Sequence, residues 1–513
     1  MDHIGMPDYY MLLSCAWPAL CRDAVVAAML IPLFLGFEAG SRAAQSAAPA
    51  APTAVAETHP MPQWLRKALD QVPAGVRGNP AAIVQLRIQR SRDERDEGIW
   101  TGEDLAHLAR FPSLKDLTIG GWGFAQDALR QLKKLQGLER ISLLAPLTDE
   151  DLKSLASLPA LKSLKLWEVA RLTEAGMRHL SESKSLEDLE IPYWSDVALV
   201  RPLEGMKSLK VLRLPVSPLT EAKVAAIAKL KGPAALDLCL DAPLPGEPAD
   251  RLLEPLRGMA NIEGFSIHWQ WPQKDDKDPA LAVIETLTNL KRLDLAENNL
   301  PDADYVRLAA LVNLRELNLA GTRISDAGLA RLPPLVHMQK LNLAGALVTD
   351  ASRNIFKNMP DLRELHLDGA HIGDATVGVL GGLQRLERLA LGGNVGSPAA
   401  MARLAGLKNL KYLVMSHCIR LNDDALAHVG KITSLEELQI CYVVPYAAVT
   451  DKGVRFLTGL KNLRKLNLVN CSVSIKATME TLKELKGLEV TFTGERPFQE
   501  YETLIVGAED RRP

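Results

Sequence analysis

The chain has 513 residues, with 60 lysines and arginines against 62 aspartates and glutamates, a formal net charge of −2. That balance lacks the basic excess or stripe of a nucleic-acid binder, and the six cysteines (15, 21, 239, 418, 441 and 471) have neither disulfide-framework nor metal-ligand spacing. Apolar residues at 47% can fill a long core, whereas aromatics at 5% are sparse enough that their clustering matters.

In chain order, the first element is Ala24–Phe37, "AVVAAMLIPLFLGF", fourteen residues without a charge. A membrane span needs roughly 20 apolar residues, so the length suits the core of a secretory signal. Small residues follow, and Ala44-Gln45-Ser46 or Ala48-Pro49-Ala50 can precede a cleavage site. The upstream region is not basic, since Arg22 faces Asp2, Asp8 and Asp23. A start codon set too far upstream would account for the long leader. The expected organisation is a signal-peptide-like leader over 1–46, an Ala/Pro linker over 47–62 with nothing to bury, and an N-terminal cap over 63–82.

From residue 83 the chain restates one frame, L-x-x-L-x-L-x-x-(N/C/T). Counting its first leucine as position 1, copies start at Leu114, Leu138, Leu161, Leu186, Leu209, Leu290, Leu314, Leu362, Leu386, Leu410, Leu435 and Leu463. Ile83, Ile262 and Met338 fill the same slot conservatively, and Ala235 fills it poorly. Ile83 to Leu463 is 380 residues in fifteen steps, about 25 per repeat. Positions 4 and 6, such as Leu317 and Leu319, alternate with polar neighbours, the period of a strand with one buried face. Position 9 turns the chain inward, where its side chain satisfies backbone groups exposed by the turn. Asn298, Thr322, Asn394, Cys418 and Cys471 stand there, as do Trp122 and Trp194, for which filling the core is the alternative to a contact role. Cys418 and Cys471, two repeats apart, are separated by roughly 10 Å at the usual strand spacing, beyond disulfide reach. After the turn, "ISDAGLARLPPL" predicts a short helix capped by Asp326, with Leu329 and Leu332 facing the core. "GLEVTF", Gly487–Phe492, closes an array over 83–492, and 493–513 forms a tail or cap. The expected fold is α/β: a right-handed solenoid of about 16 repeats, with a parallel sheet on the concave face and short helices on the convex face.

The combination "LxxLxLxxTxIxDxGLxxL" resembles the ribonuclease-inhibitor-like leucine-rich repeats, including their cysteine-containing branch, and is similar to arrays in bacterial proteins and GALA-type effectors. The resemblance spans about residues 80–492 and implies a binding scaffold. Its motif residues build core and turns, so it assigns no ligand. Residues 59–82 do not show the F-box that GALA effectors carry before their repeats.

No H-E-x-x-H, G-x-S-x-G, Walker A or C-x-x-C motif is present. "LGGNVGS", Leu391–Ser397, lacks a lysine and puts its glycines where the chain leaves a strand. His366 and His417 read as solvent-side residues without a carboxylate cluster beside them. No catalysis, cofactor or metal is expected, because an open concave sheet cannot exclude water from a reacting centre. It suits recognition of a protein partner. The aromatics gather near the strand exits of the first half: Trp167, Tyr193, Trp194, His268, Trp269 and Trp271 are the candidate contacts. The expectation is thus an exported, monomeric bacterial recognition module without nucleic acid, touching a membrane only through an uncleaved leader. A type III-secreted effector delivered into a host cell and a scaffold subunit of an enzyme complex are the alternatives. Neither the partner nor its class, protein or glycan, is written in the repeats.

Overall fold

A computed structural model describes residues 61–72, 79–89, 99–167, 169, 171–191, 196–216, 219–233, 235–240, 251–267, 279–298, 300–393, 395–441, 449–493 and 501–506. In chain order the strands are β1 (Gln85–Gln89), β2 (Asp116–Gly120), β3 (Arg140–Leu144), β4 (Ser163–Leu166), β5 (Asp188–Glu190), β6 (Val211–Val216), β7 (Ala235–Leu240), β8 (Ile262–Ile267) and β9 (Arg292–Asp294), followed by β10 (Glu316–Asn318), β11 (Lys340–Asn342), β12 (Glu364–Leu367), β13 (Arg388–Gly392), β14 (Tyr412–Ser416), β15 (Glu437–Cys441), β16 (Lys465–Val469), β17 (Glu489–Thr493) and β18 (Tyr501–Ile505). Each of β1 to β16 pairs in parallel with the next, and short α or 3-10 helices fill the return segments. β18 alone is antiparallel, lying on β17 with Glu489 opposite Ile505. At the other end the helix Gln63–Asp70 buries Trp64, Leu65, Ala68 and Leu69, and Trp64 meets Trp100 edge to face at 4.9 Å.

One core runs through the array. Leu314, Leu317 and Leu319 of one repeat stack on Met338, Leu341 and Leu343 of the next, all at most 2% exposed. Each such leucine contributes about 1.5–3 kcal/mol by leaving water, against the ordering entropy of its repeat.

Three hydrogen-bond ladders hold successive repeats in register. Before position 1, Asn289, Asn313, Asn409 and Asn462 each donate through Nδ2 to a carbonyl of the preceding repeat at 2.8–3.0 Å. At position 9, Asn298 donates to Ile267 O and Ala296 O, both at 3.1 Å. The Cys418 thiol stands in the same relation to Leu391 O (3.7 Å), and Cys471 to Ile440 O (3.6 Å). Burial pushes the Cys418 and Cys471 thiols up to about 12, so they stay protonated as weak donors.

The third ladder corrects the expected role of Asp326. Ser325 caps the helix Asp326–Leu329, accepting from the Ala327 amide at 3.2 Å. Asp326, at the first helical position, reaches the next repeat and accepts from the Thr349 amide (2.9 Å) and hydroxyl (2.6 Å). Asp149 does the same to Thr173 (2.9 and 2.6 Å), and Asp423 to Thr450 (2.8 and 2.7 Å). This staple dictates the residue beneath it. A Cβ on Gly176, Gly328 or Gly453 would lie 2.2, 2.3 or 2.4 Å from the stapling carboxylate. Where glycine is absent, Ser352 and Thr376 donate a hydroxyl to that carboxylate instead.

The frame at Ala235 is also corrected. Leu236 pairs with Leu212, a position-4 residue, so toward β6 the repeat starts two residues earlier, at Pro233. Toward β8, Leu238 pairs with Phe265, the position-4 residue of the repeat starting at Ile262. The sheet therefore slips by two residues across β7, with an irregularity at Leu236/Asp237. Because side chains alternate with period two, an even slip keeps all three inward leucines (Leu236, Leu238 and Leu240) buried.

Candidate functional site

Among the described residues, the strand exits follow one rule from β9 onward. Position 8 adopts the left-handed backbone: Gly321, Gly345, Gly369 and Gly393 have φ of 65–79°, and Glu297, His417 and Asn470 take the same conformation at 55–61°. Position 7 is small at Ala296, Ala320, Ala344, Gly392 and Ser416, leaving the exit low and smooth.

The first half departs from that rule, and Trp122 overturns its expected place in the core. It stands at position 9 of its repeat yet is 49% exposed. The physical reason is Trp100, fully buried, whose Nε1–H donates to the position-7 carbonyl of Gly120 at 3.0 Å. Trp100 supplies from the preceding segment the donor that position 9 supplies elsewhere. The turn then runs through Gly123 at φ 135° and leaves Trp122 outside.

Trp167 is 55% exposed. Leu143 pairs with Leu166, so the half-buried Leu144 and Trp167 come next in register. Leu144 also pairs with Gly120, two residues before Trp122. Trp122, Leu144 and Trp167 thus form an apolar ledge along the exits of β2, β3 and β4. Lys165 lies 5.3 Å over the Trp167 ring, an attraction of about 0.5–1 kcal/mol at such a site, and pairs with Glu190 at 2.6 Å. Of the other expected contacts, Tyr193, Trp194, His268, Trp269 and Trp271 lie outside the described residues, as does Asn394.

The second half holds a polar cluster that sequence reasoning missed. His366 does have carboxylates beside it: its Nε2 is 2.9 Å from Glu364 Oε1, and Asp368 follows on the same face. Burial would raise the Glu364 carboxyl, but the His366 hydrogen bond and the charges of His366, Arg388 and Lys340 hold it below the usual range. Burial instead pushes Asp368 up, against the pull of His366 and His417. Arg388 stacks on Tyr412 at 3.7 Å. The i, i+2 spacing of Glu364, His366 and Asp368 was the available signal, because a strand puts all three on one face. The described residues contain no group of three or more His, Cys, Asp or Glu arranged to hold a metal ion, and no described helix is long and apolar enough to cross a membrane.

A profile of the family described as "Leucine Rich repeat" matches residues 310–332. Among solved structures the chain is similar to the internalin InlF of Listeria monocytogenes, at 19% identity over 68% of this chain and 93% of that one, TM-score 0.31. It is also similar to a chain of a TLR13–ssRNA13 complex, at 16% identity over 77% of this chain and 59% of that one, TM-score 0.38. No curated protein matches the sequence. The repeat unit is a leucine-rich repeat, and the described fold is an α/β solenoid built from it.

Proposed function

We propose that this leucine-rich-repeat chain is a non-catalytic recognition protein that holds a protein partner on its concave surface and on the strand exits of its first half. The observation that supports this most is the ledge of Trp122, Leu144 and Trp167, two half-exposed tryptophans on a rigid sheet. Tryptophan on a preorganised scaffold is the residue that most often anchors an interface, and solenoids present extended concave surfaces. The ribonuclease-inhibitor-like subtype and export from a bacterial cell belong to the same reading, supported by the repeat consensus and by the apolar stretch Ala24–Phe37.

The test is affinity capture from the envelope or culture medium, with wild type beside Trp122→Ala/Trp167→Ala. The double variant should melt within about 1 kcal/mol of the parent, as half-exposed side chains do, and lose the captured partner. An unchanged partner set in a folded double variant refutes the ledge. Mass spectrometry of the N-terminus tests export, which predicts a new terminus near Ala47 outside the cytoplasm.

A further inference from the structure

We propose that the cleft between the return loops of the last two repeats is an oxyanion site that takes a phosphate monoester or inorganic phosphate. It lies where the strands begin, at the opposite end of the strands from the ledge, and is independent of the partner surface.

The inference starts from position 2 of the frame, which forms a charged rim. Its cations are neutralised by a carboxylate at position 2 of an adjacent repeat: Lys115 and Lys162 by Glu139, both at 3.3 Å, Lys210 by Glu187 at 2.8 Å, and Lys291 by Glu263 at 2.6 Å. Arg363 pairs with Glu387, and Lys411 with Glu436 at 3.7 Å. The alternation fails at Arg464. Its neighbour on one side, Glu436, is held by Lys411, and on the other side position 2 is Leu488, buried at 1% exposure. Arg315 is also unpaired among the described residues but has no second cation beside it in a cleft.

Arg464 does. A cleft of about 290 Å³ is lined by Lys461, Arg464 and Lys486 together with Asn462, Gly487 and Glu436. None of the three cations forms an ion pair among the described residues, and all three are exposed. Asn462 Nδ2 is committed to Thr433 O at 2.9 Å, and the Gly487 amide to Val506 O at 2.9 Å. The ligand must therefore be recognised by charge, from three cations against one carboxylate whose own charge Lys411 balances. A guanidinium meets two oxygens of a phosphate side by side, and the two ammonium groups act as point charges around it. A dianion fits this excess better than a single carboxylate.

The experiment follows the melting temperature of the full chain in rising inorganic phosphate, with ionic strength held constant by chloride. Arg464→Gln/Lys486→Gln is the comparison, and its two side chains form no ion pair among the described residues. Co-sedimentation with phosphatidylcholine vesicles, with and without phosphatidic acid, tells a membrane headgroup from a free phosphate. A saturable rise in melting temperature confined to the wild type supports the site with a soluble phosphate. Phosphatidic-acid-dependent sedimentation confined to the wild type supports it with a headgroup. In either assay the double substitution should weaken binding about tenfold or more. No saturable response in either assay, or an equal response from the double variant, overturns the site.

Discussion

The two halves of the array close their strands differently. Among the described residues from β9 onward the exit is a repeated unit: a left-handed residue at position 8, and at position 9 either alanine (Ala346, Ala370) or a polar donor that reaches inward (Asn298, Thr322, Cys418, Cys471). At the exit of β2 that work is delegated. Trp100 reaches the Gly120 carbonyl from an earlier segment, and the residue it displaces, Trp122, stands in solvent. A turn satisfied locally gives a plain surface, and one satisfied from elsewhere leaves its own side chain half-exposed. The helical side makes no such distinction, since Asp149 in the first half staples as Asp326 and Asp423 do in the second.

The largest effects test that shared helical side. Gly176→Ala and Gly328→Ala each force a Cβ to within 2.3 Å or less of a carboxylate oxygen. Each should cost about 3 kcal/mol in urea unfolding. Gly378→Ala, with nothing within 4 Å of its Cβ on an exposed helix face, should instead gain about 0.5–1 kcal/mol. A large cost in one half only would break the claim that both share the staple.

Next comes the division of labour between tryptophans. Trp100→Phe strands the Gly120 carbonyl and should cost about 2 kcal/mol, whereas Trp122→Ala should cost under about 0.5 kcal/mol. The reverse order would return Trp122 to the core.

The staple also sets a pH dependence. At Asp326 and Asp350 burial alone would raise the carboxyl, but hydrogen bonds from Ser352 and Thr349, and from Thr376 and Gly373, outweigh it and lower the pKa. A folded-state pKa below the unfolded value stabilises above the usual carboxylate range and is lost as pH falls through the folded value. Acid titration should therefore show stability falling below about pH 4. Asp326→Asn/Asp350→Asn should be about 1–2 kcal/mol less stable at pH 7 and decline less steeply. An unchanged acid limb would remove these carboxylates from the account.

The smallest effect sharpens the exit rule. Glu297 holds φ at 61°, so Glu297→Gly should gain about 1 kcal/mol, measured as a higher melting temperature.

The architecture was legible because each leucine of the frame has one task, and Asn298, Thr322, Cys418 and Cys471 behave as their spacing implies. The misreadings share a cause: a frame describes a repeat in isolation. Asp326 looks like a cap until the next repeat brings Thr349 to it. Ala235 looks like a poor start because Leu236, Leu238 and Leu240 satisfy two frames, one for each neighbouring strand. Trp122 occupies an inward position by count, but nothing within its own repeat reveals that Trp100 has taken the space. The candidate site was legible only in composition, since exposed tryptophan at 167 follows from its place beyond β4 and the cluster around His366 needs the strand's two-residue period to be seen.

One reversed strand has a consequence for assembly. A parallel sheet of identical rungs is a seed for its own growth: the free side of β17 would accept the β1 of another copy, and that head-to-tail contact would repeat without closing. β18 occupies that side in the opposite direction. A second copy arriving there meets a strand that runs against its own, so the parallel register of the repeats is not continued across the junction. Polymer chemists would call such a unit a chain stopper, and here five residues of backbone, Tyr501–Ile505, serve as one.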